Sequence, residues 1–182
     1  MKNLCKSVLG LWVIGMGLGV SAPAQAVGSN GPYYAEPSWD QKLDAATRFV
    51  VLLNWNSDAV LDRETGLVWE KSPATTTHIW GTARIECTGR TTGGRMGWRL
   101  PSVHELASLI DPSNNFPAMP AGHPFQNVQF GGAGYWSATT AVETGFPSQA
   151  WLVGFTSGTV GFNNKSQSFY AWCVRGGMNV DQ

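Results

Sequence analysis

Apolar positions along this chain recur in short runs separated by clusters of Gly, Pro, Ser, Thr and Asn. That rhythm predicts short strands joined by tight turns. One stretch breaks it. In Gly94 to Pro112 (GRMGWRLPSVHELASLIDP) an extended segment, Trp98 to Leu100, gives way to helical spacing, with Val103, Leu106, Leu109 and Ile110 on one stripe. Pro101 holds Leu100 out of the α region. Ser102 and Glu105 have the spacing of a capping box, in which the hydroxyl and the carboxylate each take a free N–H of the first turn. Asp111-Pro112 ends the helix, because the residue before proline avoids the helical region.

The other elements follow from the same pattern. Residues 39–46 suit one helical turn. Arg48 to Trp55 (RFVVLLNW) is a continuous apolar run that predicts a buried strand. Ala59 to Asp62 and Leu67 to Glu70 flank Arg63-Glu64-Thr65-Gly66, a hairpin signal that puts Leu67 and Trp69 on one face. Thr77 is expected to cap a second helix over His78 to Cys87, with Ile79, Ala83 and Cys87 inward, although Gly81 weakens it. Thr88 to Gly97 is a Gly/Thr/Arg loop. Pro112, Pro117, Pro120 and Pro124 exclude long regular elements, and Phe116, Phe125 and Phe130 are expected to pin that loop down. Tyr135 to Thr140, Gln149 to Phe155, Val160 to Asn163 and Phe169 to Arg175 read as strands, the second with Trp151, Val153 and Phe155 on one face.

Composition narrows the class. The 182 residues suffice for one domain with a proper core. Only 13% are charged, while Trp 9 and Gly 22 are high, which argues against a helical bundle and against disorder. Twelve basic and twelve acidic residues leave no net charge to attract nucleic acid. Met1 to Ala26 has the form of a signal peptide: Lys2 and Lys6, an apolar run from Val8 to Val20, then Ala24-Gln25-Ala26. The run is short for a spanning helix, and no later segment is long and apolar enough. The expected division is signal peptide 1–26, flexible lead 27–46, domain 47–178 and tail 179–182. The mature product is expected to be exported, periplasmic or extracellular, with a net charge of −2 (10 basic minus 12 acidic).

Five pieces in order, Thr65-Gly66-Leu67-Val68-Trp69, the Trp98 to Asp111 stretch, Tyr135-Trp136-Ser137-Ala138-Thr139, Ala150-Trp151-Leu152-Val153 and Cys173-Val174-Arg175, resemble the signature of the Lcl C-terminal domain family. The resemblance covers Ala59 to Gly176. It implies a secreted bacterial domain of C-type-lectin-like architecture, found in adhesin-like proteins, and no known reaction. It marks Trp69, Trp98, Arg99, Pro101, Ser102, Glu105, Trp136, Trp151 and Arg175 as structural-motif residues. The fold expected is α+β: a single domain with a twisted, mainly antiparallel sheet, two short helices and long ordered loops.

With Cys5 removed, Cys87 and Cys173 remain, and in an exported protein an even pair reads as a disulfide. The resembled family often has cysteines at both places. Closing 86 residues (173 minus 87) is worth about 4–5 kcal/mol in loop entropy. Two buried thiols, or a reactive thiol without an evident activating neighbour, are the alternatives.

Candidate chemistry is sparse. His78, His104 and His123 are widely spaced, and His104-Glu105 is not followed by the second histidine of a zinc motif. Glu36-Pro37-Ser38 and Asn54-Trp55-Asn56-Ser57-Asp58 only echo lectin calcium motifs. No metal and no cofactor are expected. There is no nucleophile elbow and no phosphate loop, so no enzymatic activity is expected. Arg84, Arg90, Arg95 and Arg99 cluster with only Glu86 opposing. Guanidinium forks suit oxyanions, which makes Arg84, Arg90 and Arg95 the candidate ligand-binding residues. The resembled adhesin domain is linked to glycosaminoglycan binding. The plainer reading has Arg99 and Arg175 in structural hydrogen bonds and the others solvated. The motif tryptophans are expected to build the core and donate their indole N–H groups to carbonyls. Tyr33, Tyr34, Trp39 and Trp55 are the aromatics left for a sugar platform. The function expected is a non-enzymatic binding or adhesion module, recognising glycans without calcium through its long loops. An envelope assembly protein binding another protein, or a cryptic hydrolase, stands as the alternative.

Overall fold

The computed structural model describes residues 43–142 and 148–176. The expected signal peptide, most of the lead, with Tyr33, Tyr34 and Trp39, and the tail lie outside the described residues. The elements run α1 (Ala45–Arg48), β1 (Phe49–Val51), a 3-10 turn (Leu53–Trp55), β2 (Ala59–Asp62), β3 (Val68–Glu70), β4 (Thr77–Ile79), α2 (Trp80–Thr88), a second 3-10 turn (Thr92–Gly94), α3 (Val103–Ala107), β5 (Tyr135–Thr140), β6 (Gln149–Gly154), β7 (Thr159–Asn164), β8 (Ser168–Tyr170) and β9 (Val174–Arg175). This is the α+β class expected. The strands divide, however, into two sheets: β1-β2-β3-β9 and β4-β8-β5-β6-β7. Every named pairing is antiparallel except β5 with β8.

The division is made by the segment expected as one last strand. Ser168–Tyr170 pairs in the larger sheet and Val174–Arg175 in the smaller. Between them Ala171, Trp172 and Cys173 are fully buried. Trp172 packs against Trp69, Phe125, Tyr135 and Phe155 at ring distances of 5.7, 5.0, 5.6 and 5.6 Å, and its indole donates to Glu70 O at 2.8 Å.

Strand alternation sorts the core into two clusters. Val60, Trp69, Tyr135, Val153, Trp172 and Val174 join the first, with α3. Their neighbours Ala59, Val68, Trp136, Leu152, Ala171 and Cys173 join or flank the second, with α2. Successive side chains of a strand point to opposite faces, so β2, β3, β5 and β6 each supply both clusters. The Cys87–Cys173 disulfide, Cα–Cα 5.3 Å, ties α2 to the crossing segment within the second cluster.

Several local expectations hold. Ser102 and Glu105 form the capping box. Gly66 takes a φ of +70° in the β2–β3 turn. Others are corrected. Thr77 caps nothing; Thr77–Ile79 is a strand paired with β8, the helix begins at Trp80, and Ile79 is 47% exposed. The Arg48 to Trp55 run yields only three strand residues, because Arg48 ends α1 and Leu53 turns outward. Arg48 is buried against Asp62 at 2.8 Å, with Glu64 also in contact. In the proline-rich loop Phe125 is buried, but Phe116 and Phe130 are exposed; Ala118, Met119 and Val128 fill the core instead.

Candidate functional site

The 3-10 turn at 53–55 and the loop at 88–97 meet at one end of the smaller sheet. Gly93 makes the meeting close. Its φ is +64°, and a Cβ there would lie 2.8 Å from Trp55 Cβ, so no larger side chain fits without displacing one turn from the other. The loop is anchored from below by Glu70, which is buried at the end of β3. Thr92 Oγ1 donates to Glu70 Oε1 at 2.9 Å and the Cys173 N–H donates to Oε2 at 3.2 Å. Burial pushes the Glu70 carboxyl above its usual range, opposed by Thr92, Arg90 and the Cys173 N–H.

The clustered arginines have separate surroundings. Arg84 lies over the Trp80 ring at 4.8 Å, on α2. Arg90 pairs with Glu70 at 3.4 Å and more loosely with Glu86 at 3.9 Å. Arg99 makes a two-pronged pair with Glu105, at 2.7 and 2.6 Å, and donates to Gly176 O. Burial works to raise the Glu105 carboxyl, but Arg99 and the Ser102 N–H outweigh it and hold it below the usual range. Arg95 is different. Its guanidinium lies 5.5 Å from the Trp55 ring centre, and Arg175 lies 5.3 Å from the same ring. Neither has a carboxylate partner among the described residues. Arg175 Nε donates to Met96 O at 2.8 Å, which fixes the pair of cations against the loop. An aromatic face stabilises a guanidinium without cancelling its charge, so both remain available to an oxyanion.

The structure thus brings together Arg95 of the expected candidates with Arg175, expected as structural, and Trp55, expected as a weak sugar platform. It does not bring Arg84 and Arg90 to the same ring. The signal for Arg175 was absent from local sequence, since 80 residues (175 minus 95) separate it from Arg95. The motif tryptophans Trp69, Trp98 and Trp136 are buried; Trp98 donates to Arg95 O and Trp136 to His78 O, as expected, while Trp69 Nε1 has no partner among the described residues. Trp151 is half-buried against Phe162. Pro101 is buried, and its carbonyl accepts from the Ala138 N–H.

Beside the arginine pair runs a groove lined by Asn56, Ser57, Asp58, Lys71, Ser72, Thr92 and Gln126. Among the described residues, no three His, Cys, Asp or Glu side chains converge as a metal site would require. No helix among them is long and apolar enough to cross a membrane. No curated protein matches the chain. The model of the Lcl C-terminal domain matches residues 58–175, spanning β2 to β9, the disulfide, the capped helix α3 and the arginine loop but not Trp55, and the chain therefore belongs to the Lcl C-terminal domain family.

Proposed function

We propose that this chain is an exported, non-enzymatic binding module that takes an anionic glycan on the face formed by Trp55, Arg95 and Arg175. The observation that carries the reading is the pair of guanidinium groups held against one indole without a carboxylate partner among the described residues. A sulfate or carboxylate on a sugar meets a forked, unpaired donor there, and no metal is needed. The Cys87–Cys173 bond and the apolar N-terminal segment support export.

The test is a glycan array with residues 27–182, run with calcium and with chelator. The expected result is binding to sulfated or uronic-acid glycans that survives chelation and weakens with salt. Binding lost on chelation, or unchanged by Arg95→Ala with Arg175→Ala, overturns the reading.

A protein partner is the second reading, favoured by β7. This edge strand carries no charge, and Val160 and Phe162 are 47% and 45% exposed. An uncharged edge is where another strand adds most readily. Under this reading an envelope protein binds normally to the Arg95 and Arg175 variants but not to Val160→Lys with Phe162→Lys.

A further inference from the structure

The groove next to the arginine pair differs from it in chemistry. It has a volume of about 380 Å³, at the small end for ligand sites. Its walls come from four separate pieces of chain: the turn at 56–58, residues 71–72 just after β3, Thr92 of the arginine loop and Gln126 of the proline-rich loop. All are polar. No aromatic or aliphatic side chain lines it, so the groups that would direct a ligand there are polar.

Five acidic side chains of this domain are committed. Asp62, Glu64, Glu70, Glu86 and Glu105 all have arginine partners. In the groove the reverse holds. The side chains of Asn56, Ser57, Asp58, Lys71 and Gln126 make no hydrogen bond and no ion pair among the described residues. Thr92 is turned away to Glu70, and Ser72 is held by Asn127 Nδ2 at 2.9 Å.

The backbone beneath these free groups is fixed. Lys71 N–H donates to Asp58 O and Gln126 N–H to Lys71 O, both at 2.8 Å, which stitches three of the four walls together. Asn56, Ser57 and Asn127 stand at φ of 54°, 61° and 55°. Left-handed non-glycine residues cost on the order of 1–3 kcal/mol each and persist where the surroundings hold them. The groups are therefore presented by a rigid frame.

We propose that this groove is a binding site for a neutral polyhydroxylated ligand, a saccharide unit. Asp58 and Lys71 bring opposite charges, so the groove selects neither an anion nor a cation. A carboxylate, two amides, a hydroxyl and an ammonium supply acceptors and donors side by side. Sugar hydroxyls need that mixture, because each both donates and accepts. Charge-paired recognition of a zwitterion fits Asp58 and Lys71 but leaves Asn56, Ser57 and Gln126 idle. The proposal rests on the glycan reading for its ligand class, and on the groove for its place. One glycan bound by both has its anionic group at Arg95 and Arg175 and a neutral unit here.

The test is titration of residues 27–182 with neutral trisaccharides built from glucose, galactose, mannose or N-acetylglucosamine, followed by backbone amide shifts in NMR. The expected result is shifts centred on residues 56–58, 71–72, 92 and 126. They persist at about 0.5 M salt, where screening acts within a few ångström. Asp58→Asn with Gln126→Ala weakens binding about tenfold or more, as loss of directed hydrogen bonds to the ligand predicts, with the free protein's spectrum otherwise unchanged. Arg95→Ala with Arg175→Ala leaves it intact. Shifts absent for all four sugars, shifts only with free alanine as a zwitterion, or shifts that follow Arg95 and Arg175 overturn the proposal. A heparin oligosaccharide run in parallel tests the arginine pair by itself, so either site fails without the other.

Discussion

The crossing segment and the groove rim are two regions built from the same kinds of residue and used in opposite ways. At the crossing, Trp172, Cys173 and Glu70 are buried, and their polar atoms are turned onto one another. At the rim, Trp55 keeps one cation on its ring from the 88–97 loop and one from β9, and Asp58 and Lys71 face open space. A buried polar group left without a partner costs stability, so the crossing must satisfy its own groups. An exposed group has water as an alternative partner and can wait for a ligand. The difference assigns stability to the crossing and recognition to the rim.

That assignment is breakable. Trp172→Ala should have the largest effect. It empties the centre of an aromatic cluster, and a loss of about 3–5 kcal/mol is expected, read from urea denaturation. A loss under about 1 kcal/mol would mean the two sheets do not depend on this ring. Cys87→Ser with Cys173→Ser should come close behind, at up to about 4–5 kcal/mol from loop-closure entropy. An oxidised and a reduced sample of the parent chain should differ by the same amount.

The two glutamates sharpen the comparison by sign. Glu105 is held below its usual range, so the Arg99 pair contributes above pH 4.5, the ordinary glutamate value, and is lost as pH falls through the lowered one. Glu105→Gln should cost about 1–2 kcal/mol at neutral pH, allowing for its partial exposure, and little in acid. Glu70 is raised, so the fold favours its neutral form, and stability is lost as pH rises from 4.5 through the raised value. Glu70→Gln should therefore keep or gain stability at neutral pH. Thermal unfolding between pH 3 and pH 8 checks both, and equal losses at neutral pH would remove the contrast.

The smallest stability effect is expected at the rim. Arg95→Ala with Arg175→Ala should change stability by less than about 1 kcal/mol while abolishing salt-sensitive glycan binding. A large loss of stability would make the pair structural, as the plainer sequence reading had it.

Much of this was legible beforehand because it is local. The capping box at Ser102 and Glu105 needs residues three apart. The β2–β3 hairpin needs Gly66 between two apolar runs. Alternation along Gln149 to Phe155 puts Trp151, Val153 and Phe155 on one face, and all three meet the same core cluster. The errors have a common cause. Thr77 has the chemistry of a helix cap, but β8 offered Thr77–Ile79 a ladder of backbone hydrogen bonds, and pairing won. Phe169 to Arg175 has the length of one strand, but Trp172 and Cys173 are taken by the core and the disulfide, and the run splits.

By itself the sequence determined the α+β class, the family, the capped helix and the burial of Trp69, Trp98, Trp136 and Trp172. Those properties depend on side-chain type and on spacings of a few residues. Only the tertiary structure decided that there are two sheets, that Arg90 turns inward to Glu70, and that Arg95 meets Arg175 across Trp55. The groove belongs with these. Its walls are set by which loops the crossing segment draws together, and contacts between residues far apart along the chain leave no periodic trace in it.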